Sequence, residues 1–163
     1  MIKKVFLLLA ALLFISACTK EVPENEKRIS KSFEENEVRT VIDMYYKSYN
    51  DNDIETAVSF FHPEYKGVAA DSEDVVGIQA LESELYHFRK QYPDGQWDFK
   101  IEELFVQNEL GYVITSGSFM MPDPIENKMS PRYSERSIRV LKKVKNLGWK
   151  IYRSFSVPIF SYD

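Results

Sequence analysis

The sequence predicts an α+β fold in which helices come first and strands follow. Between Phe33 and Tyr92 apolar residues recur at helical spacing. From Trp97 to Phe160 they alternate with polar ones in runs broken by turn residues. The 163 residues hold no internal repeat and no low-complexity tract, which fits a single domain.

The first helix is predicted from Phe33 to Tyr49, with Val38, Val41, Ile42, Tyr45 and Tyr49 on its apolar stripe. Asn50-Asp51-Asn52-Asp53 breaks it and offers caps for the next helix, with Asn52 and Glu55 at capping-box spacing. Ile54, Ala57, Val58 and Phe61 form the stripe of that short second helix, and His62-Pro63 closes it. Tyr65 to Ala70 reads as a short strand, followed by the loop Asp71-Ser72-Glu73-Asp74. Gly77 opens a third helix with Leu81, Leu85, Phe88 and Tyr92 on one face, and Tyr92-Pro93-Asp94-Gly95 stops it. Trp97, Phe99 and Ile101 then alternate with polar residues. Glu103 interrupts the pattern and Leu104 and Val106 resume it, which predicts a β-bulge and a curved sheet. Strands follow over Gly111–Met121, Tyr133–Val144 and Trp149–Phe160. The three prolines between Met121 and Pro131 predict a loop, and Asn146-Leu147-Gly148 predicts a hairpin turn.

Ahead of this domain lies a different kind of segment. Lys3 and Lys4 precede VFLLLAALLFISA, an uncharged run of about 13 residues, too short for the roughly 20 that span a bilayer. Positive flank, short apolar run and small residues at its end describe a secretory signal peptide. Ile15-Ser16-Ala17-Cys18 resembles the bacterial lipobox. That resemblance implies removal of residues 1–17 and lipidation of Cys18, the only cysteine in the chain. The alternative is a plain secretory leader with an incidental cysteine. Thr19 after the cysteine resembles the enteric pattern for outer-membrane sorting, which implies an anchor facing the periplasm. Residues 18–32 are polar and are expected to form a flexible tether, with extension of the first helix from about Lys27 as the alternative. Losing Lys3 and Lys4 takes the 21 basic residues to 19 against 25 acidic ones. So acidic a body disfavours nucleic acid as a partner.

The motif series Tyr46…Asp53-Ile54-Glu55-Thr56-Ala57…Phe61-His62-Pro63, Gly77-Ile78-Gln79-Ala80-Leu81 and Gly148-Trp149-Lys150-Ile151 resembles the nuclear transport factor 2-like superfamily, and within it the SnoaL-like branch. The resemblance covers about Phe33 to Pro158. It implies three N-terminal helices packed in the concave face of a curved, mainly antiparallel sheet, a cone or cystatin-like roll over residues 33–163. Such cones serve as isomerases, dehydratases, cyclases or ligand binders, and pairing of two copies through the sheet is common among them, so a homodimer is expected. Many SnoaL-like relatives carry histidines in the last strand, where this chain has Arg153 and Phe155.

The candidate site residues follow from the pattern. His62 reads either as a helix C-cap or as a general base at the cone mouth. His87 lies off its helix stripe and is expected in solvent, as is Asp98 on its strand; Asp71, Glu73 and Asp74 read as a solvated loop. An enzyme would use His62 with a tyrosine such as Tyr49. Tyr45, Tyr49, Trp97, Phe99 and Phe155, with Phe61 and Phe119, make an aromatic lining for an apolar ligand. Arg136 shares strand parity with Ile138 and Val140, so it is expected to point inward and contact a ligand. No metal-ligand motif and no phosphate loop occurs, and no cofactor is expected. The sequence therefore points to a lipid-anchored envelope domain that binds a small apolar or acidic ligand, or a protein partner, without catalysis. A small isomerase, dehydratase or hydrolase and an envelope scaffold with a filled cone are the alternatives.

Overall fold

The computed structural model describes residues 24–70 and 72–159. The chain divides into two units, Met1–Ser30 and Lys31–Asp163. Of the first unit, only the opening turns of a helix are described; the fold and the chamber belong to the second. Signal peptide, lipobox, Cys18 and Asp71 lie outside the described residues.

The elements are α1 (Glu24–Asn50), α2 (Ile54–Ser59), β1 (Phe61–Ala69), β2 (Val75–Val76), α3 (Ile78–Gln91), β3 (Gln96–Gln107), β4 (Leu110–Asp123), β5 (Lys128–Val144) and β6 (Gly148–Pro158). The expected order of helices and long strands is observed. α1 starts well before Phe33, so helix occupies much of the segment read as tether. The six strands form one sheet in the order β2-β1-β6-β5-β4-β3. All neighbours are antiparallel except β1 with β6.

The sheet curves because bulges interrupt it. In β3 the register slips between Ile101 and Glu103, as the broken alternation predicts, and Glu102 is the extra residue. Trp97, Phe99 and Ile101 before it and Leu104 and Val106 after it all pack toward the helices. A second slip, between Val140 and Leu141 against Arg153 and Ile151, makes Tyr152 the extra residue of β6. α1 lies against the concave face and buries Val38, Ile42, Tyr45, Tyr46 and Tyr49. In its first half Glu34 accepts hydrogen bonds from Lys143 at 2.7 Å and from the Trp149 indole at 2.9 Å, which ties the helix to the sheet.

Three local expectations are corrected. α2 ends at Ser59, and Phe61, His62 and Pro63 belong to β1. The β1–β6 ladder is irregular between Phe61 and Lys66, so Pro63 sits where its missing N–H costs little. The cap of α2 is Asp53, whose Oδ1 accepts from the Thr56 N–H at 3.0 Å, rather than Asn52. Asn52 instead takes a φ of 63° in the turn. The proline-rich loop is largely strand: Pro122 pairs with Met129 and Pro131 with Met120, leaving a short turn at 124–127. Asp123 closes that turn by accepting from the N–H groups of Ile125 (2.8 Å) and Glu126 (3.2 Å).

Candidate functional site

Between α1, α3 and the concave face lies a chamber of about 740 Å³. This is within the range of small-molecule sites. Aromatic side chains are the largest group in its walls. α1 contributes Tyr45, Tyr46 and Tyr49, because residues one helical turn apart share a face. α3 contributes Leu81, Leu85 and Phe88 from its expected stripe. Trp97 and Phe119 face them from β3 and β4 with ring centroids 5.5 Å apart, and Phe88 meets Phe119 at 4.9 Å. Phe61 and Tyr65 of β1 meet edge to face at 4.7 Å.

One side of the chamber is polar. Arg139 of β5 is buried there. Its guanidinium donates to Thr115 Oγ1 at 2.7 Å and to the Tyr46 hydroxyl at 2.8 Å. Glu135 Oε1 stands 3.8 Å from it and accepts from the Ser137 hydroxyl at 2.6 Å. Ser156 donates to Ser137 at 3.0 Å, and the Tyr65 hydroxyl bonds Ser154. Burial opposes the charge of Arg139, but Tyr46, Tyr45 and Glu135 outweigh it and its pKa is raised. Burial also pushes the hydroxyls of Tyr45, Tyr46 and Tyr65 above the ordinary tyrosine range, and Tyr49 up to about 12. All four stay neutral at physiological pH.

Of the residues singled out from the sequence, Tyr45, Tyr49, Phe61, Trp97 and Phe119 line the chamber together. Phe99 stands behind that lining, stacked on Tyr46 at 3.9 Å. Arg136 is on the outer face, where it pairs with Glu102 at 2.7 Å. The expected parity of β5 is inverted, since Ser137, Arg139 and Leu141 point inward while Ile138 is exposed. Phe155 is also outside, 47% exposed, because the Tyr152 bulge turns Ser154 and Ser156 to the chamber in its place. His62 is not part of the lining; its Nδ1 accepts from the Glu64 N–H at 3.1 Å and its ring meets Tyr152. The expected pair of His62 with Tyr49 is therefore not assembled. His87 and Asp98 are exposed as expected. Glu73 lies at the rim and Asp74 pairs with Lys66 at 2.7 Å. Arg139, Glu135 and Tyr65 are the site residues that pattern reading misses.

No protein-family model and no curated protein matches the sequence. Solved structures do. An NTF2-like protein with a cystatin-like fold from Novosphingobium aromaticivorans superposes with a TM-score of 0.76 at 9% identity, covering 89% of this chain and 94% of that one. The fold is that of the nuclear transport factor 2-like superfamily. A protein of the NTF2-like family from Streptomyces avermitilis gives 0.66 at 13% identity, over 80% and 99% of the two chains. A ketosteroid isomerase-like protein from Erwinia carotovora atroseptica gives 0.63 at 14% identity, over 78% and 98%. In this chain Arg139 and Glu135 give the chamber one polar wall.

Proposed function

We propose that this chain is an envelope protein, anchored through lipid on Cys18, whose NTF2-like cone binds a small, mainly apolar ligand without transforming it. The observation that carries the reading is the open aromatic chamber of about 740 Å³. A scaffold would fill that space with side chains, as interiors normally are filled. The polar wall narrows the ligand class. Because Arg139 already stands beside Glu135, the wall is close to neutral and offers hydrogen bonds rather than a free cation. It suits an uncharged oxygen or nitrogen better than a carboxylate. Arg136, paired outside with Glu102, does not supply the anion contact that its parity suggested.

Native mass spectrometry of the chain purified gently from a periplasm tests this. A mass excess that disappears on denaturation supports it, and the released compound names the ligand. An apo mass from every preparation, with no uptake of apolar probes, overturns it. Cys18→Ala is expected to release the protein from washed membranes; retention would refute the anchor. On the outer face Ile138 lies directly opposite Phe155, both exposed, which supports pairing of two copies through the sheet. Sedimentation of the wild type against Phe155→Lys tests that pairing, and an unchanged monomer in both would end it.

A second reading has its own observation. A carboxylate, Glu135, and the hydroxyls of Tyr45 and Tyr65 share one wall of the chamber, the components an isomerase would need for proton transfer. Turnover of an unsaturated ketone that is lost in Glu135→Gln would favour it over simple binding.

A further inference from the structure

The inward stripe of α3 is flanked by a carboxylate. Leu81, Leu85 and Phe88 line the chamber, and between them, one turn from Leu81 and Phe88, so does Glu84. Glu84 flanks that stripe and keeps an exposed side at the chamber mouth, where its carboxylate is open to a ligand entering the chamber. Glu84 forms no ion pair and no hydrogen bond with any described residue. It nonetheless lies close enough to Tyr65 for its charge to act on that hydroxyl, and burial raises its own carboxyl above the ordinary range. Two other charged groups share the rim. Arg132 lies toward Asp123, on whose carboxyl its charge acts, and Glu73 adds a second negative charge. Arg132 forms no ion pair among the described residues, so the three rim groups Glu73, Glu84 and Arg132 sum to one negative charge, and the aromatic rings of the lining present faces that attract cations.

We propose that Glu84 is a ligand contact and that the ligand of this chamber carries an amine, its apolar body between the rings and its ammonium against the Glu84 carboxylate beside Tyr65. The polar wall of Arg139 and Glu135 then meets the opposite, uncharged end of the ligand. This assignment rests on the reading of the chamber as a ligand site. It adds the charge of the ligand and the residue that selects it.

The test uses the full chain carrying Cys18→Ala, which removes any acyl chain able to compete for the chamber, and two probes of matched body, 4-phenylbutylamine and 4-phenylbutanol. Titration calorimetry at pH 7.5 and intrinsic tryptophan fluorescence report binding. The amine is expected to bind roughly tenfold tighter than the alcohol, the scale of a charge-assisted contact aided by ring faces. Glu84→Gln should bring the amine down to the alcohol and leave the alcohol's affinity within about twofold, while Glu73→Gln keeps the amine preference. Equal binding of the two probes to the wild type, or an amine preference that survives Glu84→Gln, overturns the assignment while the chamber reading stands. If Glu73→Gln erases the preference as fully as Glu84→Gln does, the preference belongs to the field of the rim and the assignment to Glu84 is wrong. If neither probe binds the wild type, the chamber reading falls and this inference falls with it.

Discussion

Neutralising Glu135 should unsettle the polar wall of the chamber, and the size of the effect follows from the geometry. The charges of Glu135 and Arg139 stand 3.8 Å apart with side chains only 13% and 7% exposed. At an effective dielectric constant of about 20, that separation is worth roughly 4 kcal/mol. Glu135→Gln removes the charge and keeps an oxygen for the Ser137 hydroxyl. A neutral amide is also less costly to bury than a carboxylate, which returns part of the lost attraction. We expect a net loss of about 2–3 kcal/mol in unfolding free energy, or roughly 10 °C in Tm for a domain of this size. Arg139→Met strands the Tyr46 hydroxyl, Thr115 and Glu135 together and should cost about as much. The two losses have one origin, so the double variant should be about 2 kcal/mol more stable than their sum predicts. Urea denaturation of the four proteins measures all of this. Strictly additive losses, or a Glu135→Gln variant as stable as the wild type, would refute the claim that this pair holds the wall.

Three further outcomes are expected. The Tyr49 hydroxyl is buried without a hydrogen-bond partner among the described residues, so Tyr49→Phe should leave stability unchanged or raise it by about 1 kcal/mol, read by denaturant midpoint; a large loss would reveal a partner for that hydroxyl. A Cβ on Gly95 would come within 2.0 Å of the Phe119 ring, so Gly95→Ala should cost about 1–3 kcal/mol and displace Phe119 into the chamber, seen as weaker probe uptake. Burial works to raise the Glu34 carboxyl, but hydrogen bonds from Lys143 and Trp149 win and leave its folded pKa below the ordinary 4.5. Its contribution is therefore present above pH 4.5 and lost as pH falls through the lower folded value. Thermal melts from pH 6 to 3 should show a shallower acid decline in Glu34→Gln than in the wild type, and parallel declines would contradict it.

What pattern reading reaches and what it misses divide along physical lines. The α1 and α3 stripes and the Glu102 bulge are local periodicities, and each is visible in neighbouring residues. Phe155 is displaced by the bulge at Tyr152; carrying the parity of Trp149 and Ile151 straight through Arg153 turns Phe155 inward, and only the charge of Arg153 on that parity marks the slip. Arg139 is hidden by the site itself. β5 turns Ser137 and Arg139 inward and Ile138 to the outside, so the usual rule of apolar inside and polar outside runs backward along the stretch that matters most. His62 reads as a helix end because the parallel pairing of β1 with β6 joins segments far apart in sequence, and nothing near His62 announces it. Arg89 escapes notice for another reason. It is buried, and its guanidinium donates to the carbonyls of Tyr49, Gly95 and Pro93, ending α1 with a positive charge from another helix.

The parallel pairing of β1 with β6 also sets an order of events. On one side β1 has only β2, two residues long; its main neighbour is the strand that comes after all the others, with Phe61 waiting for Ile151. A growing chain can form α1 and the hairpins of β3, β4 and β5 from near neighbours, yet it leaves β1 unpaired until β6 emerges. Loop closure of that length is slow. The wall that carries Tyr65 and Ser154 is thus completed last, so a chain stalled before β6 is an open half-shell. That is a form suited to recognition by chaperones and, for an exported chain of the kind proposed, one that keeps translocation ahead of folding.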